Sequence, residues 1–165
     1  MKPLGPPDSH HLNAAHGWLE LGDADSAMEE IGRISTASQI HPDVLAIRWE
    51  LSARDQDWDG AHTIAQMALD LAADQPGPWI QRSFALHELK LTEEAYECLL
   101  PAAEQFPEET TIAYNLACYS CQLGQPARAL EWFAKAQAVG DADRLKAMAL
   151  HDPDLASLRA EIERL

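Results

Sequence analysis

Basic residues are scarce in this 165-residue chain. Twelve lysines and arginines stand against 27 aspartates and glutamates, a formal net charge of −15 with a pI near 4.6. Phosphate is repelled by such a surface, which argues against nucleic acid and disfavours an anionic membrane as partner. Long apolar runs are also missing: no stretch approaches the ~18 consecutive residues that a membrane span needs. The opening Met1-Lys2-Pro3-Leu4-Gly5-Pro6-Pro7 has three prolines and no apolar core, so it lacks the form of a secretory signal. Residues 1–7 are expected to be a disordered lead, and a cytoplasmic location is the default. The three cysteines, Cys98, Cys118 and Cys121, cannot all pair, and reduced thiols packed as small hydrophobes are the simplest expectation.

Catalytic signatures are absent too. There is no glycine-rich phosphate loop and no nucleophile elbow, and the seven histidines show no metalloprotease spacing. Cys118-Tyr119-Ser120-Cys121 places two sulfurs on one helix face, but a closed zinc site needs four ligands. No second cysteine pair exists, and His87 is the one further candidate nearby. The expectation is therefore no enzyme, no metal and no cofactor. The acids are scattered, with runs no longer than pairs such as Glu29-Glu30, Glu93-Glu94 and Glu108-Glu109. They read as a solvated face that keeps the chain soluble, or as attraction for a basic partner.

What the chain does have is a period. Ala27, Ala61, Ala95 and Ala129 follow one another at steps of 34 residues. The breakers before them, Gly22-Asp23, Gln56-Asp57, Lys90-Leu91 and Gly124-Gln125, keep the same step. A 34-residue repeat dominated by helical periodicity is that of a helix–turn–helix array. Hydrophobic residues make up 47 %, enough to fill the interfaces between stacked helix pairs. The units read as residues 8–41, 42–75, 76–109 and 110–143, followed by capping helices over 144–165 that close the apolar end of the stack.

Within the units, Asp8 or Ser9 is expected to cap the first helix, which ends at Leu21 before Gly22. Asp23 caps a second helix whose buried face is Ala27, Ile31 and Ile34. Unit two opens at Pro42 and turns at Asp55-Gln56-Asp57 without a glycine, so another residue must take the strained backbone there. Ala61, Ile64, Ala65, Ala68 and Leu71 form the buried side of its second helix. Unit three opens at Pro76, with Thr92 expected to cap its second helix and Pro101 to kink or end it. In unit four Pro126 falls in a first turn, where proline is tolerated. Beyond Gly140, Asp141–Leu150 and Leu155–Leu165 read as two short helices.

The chain resembles a tetratricopeptide repeat (TPR) protein over residues 8–143. The resemblance rests on Ala113–Tyr119, Leu123-Gly124-Gln125-Pro126, Ala129, Phe133 and Ala136 of unit four, on unit one, and on Trp79, Ala95, Ala102 and Pro107 of unit three. Trp49, Arg48 and Arg82 depart from the usual residue types. Asp152-Pro153-Asp154-Leu155, with Leu158-Arg159, is similar to the tail closing some bacterial repeat proteins. The resemblance implies an all-α, right-handed α-solenoid that binds a protein or peptide, non-catalytically, in a concave groove lined by the first helix of each pair. In that register the groove residues are Leu12, His16, Glu50, Ile80, Phe84, His87, Tyr114 and Cys118, with Leu19, Ala46, Ala53 and Cys121 beside them. Asn13 and Asn115 border it, at places where related domains hydrogen-bond a peptide backbone.

The expected partner carries apolar anchors or basic character, and the chain itself is expected to be a monomer or weak homodimer. The lysine and arginine clamp of chaperone-tail binders is missing, its places being held by Leu12, His16, Gly77 and Gln81. An adaptor or scaffold is the first reading; a small acidic secretion-type chaperone and a self-associating module are the alternatives. Trp18, Trp58, Trp79 and Trp132 are expected in the core, and Arg48 and Arg82 as snorkelling stems paired with carboxylates. Two arrangements fit the sequence: an open groove, or one filled by the tail from Arg144 onward.

Overall fold

Apolar residues at helical spacing form ten α-helices in a computed structural model that describes residues 3–164, with no strand among the described residues. Met1 and Lys2 of the lead and Leu165 of the cap lie outside the described residues. The chain falls into two compact units, one ending at Asp74 and the other beginning at Gln75.

The first unit holds two antiparallel hairpins, α1 (Asp8–Glu20) with α2 (Ala24–Arg33) and α3 (Pro42–Arg54) with α4 (Trp58–Leu71). The second holds α5 (Pro76–Glu88) with α6 (Thr92–Gln105) and α7 (Thr110–Gln122) with α8 (Pro126–Val139). It then closes with α9 (Ala142–His151), a 3-10 segment over Pro153–Leu158 and α10 (Arg159–Arg164).

All four hairpins turn in the same way. Gly22, Gln56, Lys90 and Gly124 take φ of +82°, +57°, +67° and +70°. In each case the left-handed residue donates its N–H back to a carbonyl three residues earlier: Leu19, Ala53, His87 and Cys121. The next N–H bonds a carbonyl five residues earlier, on Trp18, Ser52, Leu86 and Ser120, at 2.9–3.0 Å. That pair of bonds satisfies the last carbonyls of the incoming helix. Gln56 and Lys90 are the residues that absorb the strained backbone where glycine is absent. The first two turns then start the second helix on an aspartate: Asp23 accepts from Ser26 N and Asp57 from Gly60 N, both at 3.0 Å.

The repeated alanines lie where the two helices of each pair meet, and Ala27, Ala61, Ala95 and Ala129 have no exposed surface. In the second unit one core joins Leu86, Leu99, Ile112, Leu116, Tyr119 and Phe133 to Leu155, Leu158 and Ile162 of the tail. In the first unit Leu19, Ile31, Ile34, Val44, Ile47 and Leu51 pack together, and Leu4 from the lead and Leu12 join them.

Several local expectations need correction. The α1 cap position is Pro7, and Asp8 instead bonds the N–H and hydroxyl of Ser35, at 2.9 and 2.5 Å. Those bonds hold the Asp8 carboxyl down to about 2. Thr92 is the first residue of α6 rather than its cap, because its hydroxyl is engaged by His87. Pro101 does not end α6; its ring sits on the exposed side, where water can reach the carbonyl it leaves unbonded, while Leu99 and Ala102 hold the helix to the core. On α4 the buried leucine is Leu69, and Leu71 is 46 % exposed. Trp18 is 40 % exposed and Trp58, Trp79 and Trp132 are half-buried, so none of these four lies fully in the core. Leu155 starts no regular helix: it lies in the 3-10 segment, and the final helix starts at Arg159.

Gly124 has open space around its α-carbon, so any cost of a side chain there is backbone strain alone. Gly124→Ala is therefore expected to destabilise the chain by about 1 kcal/mol. Gly77→Ala, equally uncrowded but inside the first turn of α5, should be neutral or stabilising by up to about 1 kcal/mol. Urea denaturation of the two variants beside the parent checks both signs.

Candidate functional site

The face of α5 and α7 that carries the expected groove residues of the second unit is largely occupied by the chain's own tail. Proline and two aspartates make Asp152-Pro153-Asp154 a tight entry into the 3-10 segment. Asp152 caps it through Oδ1, which accepts from Asp154 N at 2.9 Å. Leu155 and Leu158 anchor the segment, with 0 and 4 % of their surface exposed.

Side chains from α5 and α7 then grip it. Tyr114 donates its hydroxyl to Asp152 Oδ2 at 2.8 Å, and the Cys118 thiol points to the same oxygen at 3.7 Å. With its proton on Nε2, His87 donates to Asp154 Oδ2 at 3.0 Å, while Nδ1 accepts from the Thr92 hydroxyl at 3.0 Å. Gln122 donates to the Asp154 backbone carbonyl at 2.8 Å, and Cys121 Sγ lies 3.1 Å from the Ser157 hydroxyl. Spacings of three and four residues put Tyr114, Cys118 and Cys121 on one strip of α7, which is why one segment meets all three.

The electrostatics follow from this packing. The hydrogen bond from His87 holds the Asp154 carboxyl below its ordinary range against the cost of burial, and the nearby Lys90 charge acts in the same direction. Burial, then the Asp152 and Asp154 carboxylates, push the Cys118 thiol far above a free cysteine. Burial and its bond to Asp152 push Tyr114 upward in the same way. Cys98 rises to about 11, mainly through burial.

Donor atoms of Cys118, Asp152 and Asp154 lie within 4.8 Å of one another. The two carboxylates favour the neutral thiol there, whereas a metal takes the thiolate. Their placement is accounted for by the bonds to Tyr114, Cys118 and His87.

The remaining expected residues are placed differently. Ile80 is half-buried against the core of its unit, and Phe84 and Asn115 are also half-buried. In the first unit Leu12 packs on the core, whereas Asn13 and His16 are exposed on α1. His16 lies 3.6 Å from Glu20, and Glu50 pairs with Arg54 at 2.8 Å. Arg48 and Arg82 form no ion pair among the described residues, contrary to the expected carboxylate pairing.

Sequence reasoning missed a second feature of the second unit. On the side of α6 and α8, an apolar cleft of about 550 Å³ opens beside the α6–α7 connection, walled by Leu100, Phe106, Ile112, Trp132 and Val139. Leu100 and Val139 were legible as apolar residues without a place in the repeat's core, and that was the available signal.

No protein-family model matches the chain, and no curated protein matches it in sequence. Solved structures do match. The structure from the functional characterisation of Pseudomonas aeruginosa PilF superposes with a TM-score of 0.77 at 23 % identity, over 94 % of this chain and 69 % of that one. The thermophilic TPR protein TTC0263 of Thermus thermophilus gives 0.73 at 17 %, over 96 % and 100 % of the two chains. The chain has the tetratricopeptide-repeat fold. YrrB, described as a TPR protein with an unusual peptide-binding site, gives 0.71 at 16 %, over 84 % and 72 %. At these identities the likeness speaks for the α-solenoid class of fold alone.

Because the native Asp154 carboxyl is depressed, its contribution to stability is present above the unfolded value, ~4, and is lost as pH falls through the native one. Asp154→Asn should lower the urea midpoint at pH 7 and make the loss of stability below pH ~4 shallower than in the parent. Equal steepness in the two proteins would remove the His87–Asp154 contact from the account.

Proposed function

We propose that the chain is a non-catalytic protein-interaction module, an adaptor or scaffold that takes a polypeptide segment on the face presented by the first helices of its hairpins. The observation that carries this reading is the grip on residues 152–157. Tyr114, His87, Cys118 and Gln122 hold a stretch of polypeptide by two of its side chains and one backbone carbonyl. A face that holds its own chain in this way has the chemistry to hold another: buried apolar stems, and polar tips at fixed positions.

Ile80 and Phe84 lie on α5 beside that grip; in the first unit, taken by itself, Asn13, His16 and Glu50 hold the corresponding places on α1 and α3. The likeness to YrrB, whose peptide-binding site is built on the same fold, supports a peptide or protein as the ligand. His87 supports the non-catalytic reading. It is the one buried histidine among the described residues, and both its ring nitrogens are engaged, by Thr92 and Asp154. It keeps 7 % of its surface exposed, whereas a general base must come within hydrogen-bond reach of the substrate proton it takes.

No helix among the described residues is long and apolar enough to cross a membrane. The acidic surface and the closing Asp152-Pro153-Asp154-Leu155 segment fit a bacterial cytoplasmic adaptor.

Affinity capture from the source cell's lysate, with Phe84→Asp and Asn13→Ala variants first shown to stay helical, tests the proposal. A defined protein retained by the parent should be depleted at least ~10-fold by Phe84→Asp, since loss of one central apolar anchor costs on the order of 2 kcal/mol. Equal retention by all three proteins would remove the first-helix face as the working surface.

A further inference from the structure

The outer cleft of the second unit has no role in the reading above, and its chemistry differs from that of the tail-covered face. The C-terminal halves of α6 and α8, the Phe106-Pro107 connection and the start of α7 line it, with Ala103 and Ala138 among the small residues. Its volume, about 550 Å³, falls in the ~300–1,000 Å³ range of sites that enclose a compact ligand. Leu100 and Val139 at its mouth keep 39 and 45 % of their surface in water, a cost with no compensation inside the unit.

Carboxylates gather where α6 ends and the chain connects to α7. Glu104 and Glu109 line the cleft. Glu108 joins Glu109 in the adjoining depression, which shares Phe106 and Pro107 with it. None of the three forms an ion pair among the described residues, and Glu109 is held in place by accepting from Thr111 N at 3.2 Å. The α8 wall is different: Lys135 Nζ lies over the Trp132 ring, 3.8 Å from its centre, and Trp132 Nε1 donates to the Tyr96 hydroxyl at 3.2 Å. That stacking fixes the aromatic wall and ties the lysine charge to the Trp132 ring on α8. The closing tail lies on α7's first-helix face and so does not fill this cleft.

We infer that this cleft docks a segment of another protein that presents large apolar side chains flanked on one side by lysine or arginine. The apolar walls take the side chains, and the carboxylates of Glu104, Glu108 and Glu109 meet the basic flank. An acidic flank would face those three carboxylates and be repelled, so charge sets both the choice of partner and its direction along the cleft.

The test uses two dye-labelled synthetic peptides, each with a leucine and a phenylalanine four residues apart. One carries three lysines on one flank and the other three glutamates, and binding is read by fluorescence anisotropy at low salt. The lysine peptide should bind the parent protein. Ala138→Trp, which fills the cleft from an exposed position, should weaken that binding at least ~10-fold. A Glu104→Lys, Glu108→Lys double variant should weaken the lysine peptide and strengthen the glutamate peptide, each by ~3- to 10-fold. Phe84→Asp should leave both unchanged, which separates this cleft from the first-helix face. Val139→Asp serves in place of Ala138→Trp should the latter lose helical circular dichroism.

Four results would overturn the inference: no binding of the lysine peptide tighter than about 1 mM, equal binding of the two peptides, indifference of the lysine peptide to the cleft variants, or a mass that grows with concentration and is abolished by Ala138→Trp. The last would assign the cleft to a second copy of this chain.

Discussion

Each hairpin closes on an alanine with no exposed surface, and the length of the repeat depends on that contact. Ala27, Ala61, Ala95 and Ala129 are small and fully buried, which lets the two helices of a pair approach closely. A larger residue there would overpack the contact at ~1–3 kcal/mol. Because the approach is close, the turn joining the helices must be short, and a short turn needs one left-handed residue. Gly22, Gln56, Lys90 and Gly124 all supply it, two of them without glycine's freedom. Tertiary packing therefore overrides local preference at Gln56 and Lys90, where an L-residue accepts the ~1–2 kcal/mol cost of the left-handed region. The same geometry turns the first-helix strip of Tyr114, Cys118 and Cys121 into a continuous face.

What that face does with a neighbouring polypeptide is visible in the tail. Leu155, Leu158 and Ile162 complete the hydrophobic core of the second unit, so the segment is structural. At the same time Asp152 and Asp154 are held by Tyr114, Cys118 and His87, polar tips that a purely apolar cap would not need. Burial of these groups without partners would cost ~1–3 kcal/mol each, and the tail supplies the partners. The face is accordingly a mixed one: apolar in its stems and polar at its tips.

The architecture was readable because its determinants are local and periodic. Ala27, Ala61, Ala95 and Ala129 at a fixed step, Pro42, Pro76 and Pro126 in first turns, and Gly22 and Gly124 at hairpin closures each state a backbone requirement in one residue. The site was less readable, because its contacts join residues far apart in the chain. Nothing in the neighbourhood of Tyr114 announces Asp152, 38 positions on. His87 and Asp154 are 67 apart. Caps misled for a related reason: Asp8 and Thr92 have side chains suited to capping, but Ser35 and His87 compete for them through tertiary contacts. The outer cleft escaped notice because Leu100, Phe106 and Val139 belong to different helices and loops, and only the fold brings them to one opening.

The proposed role of this chain is to hold polypeptide on the first-helix face of its second unit. Photo-crosslinking in the source cells addresses it most directly, with a photoreactive side chain at Phe84 and, as a control, at Asp25, exposed on α2 of the other unit. The account predicts a discrete protein adduct from position 84 that is absent from position 25 and weakened by Ile80→Asp. No adduct at 84 above the control, in cells where the protein is expressed and folded, would contradict it.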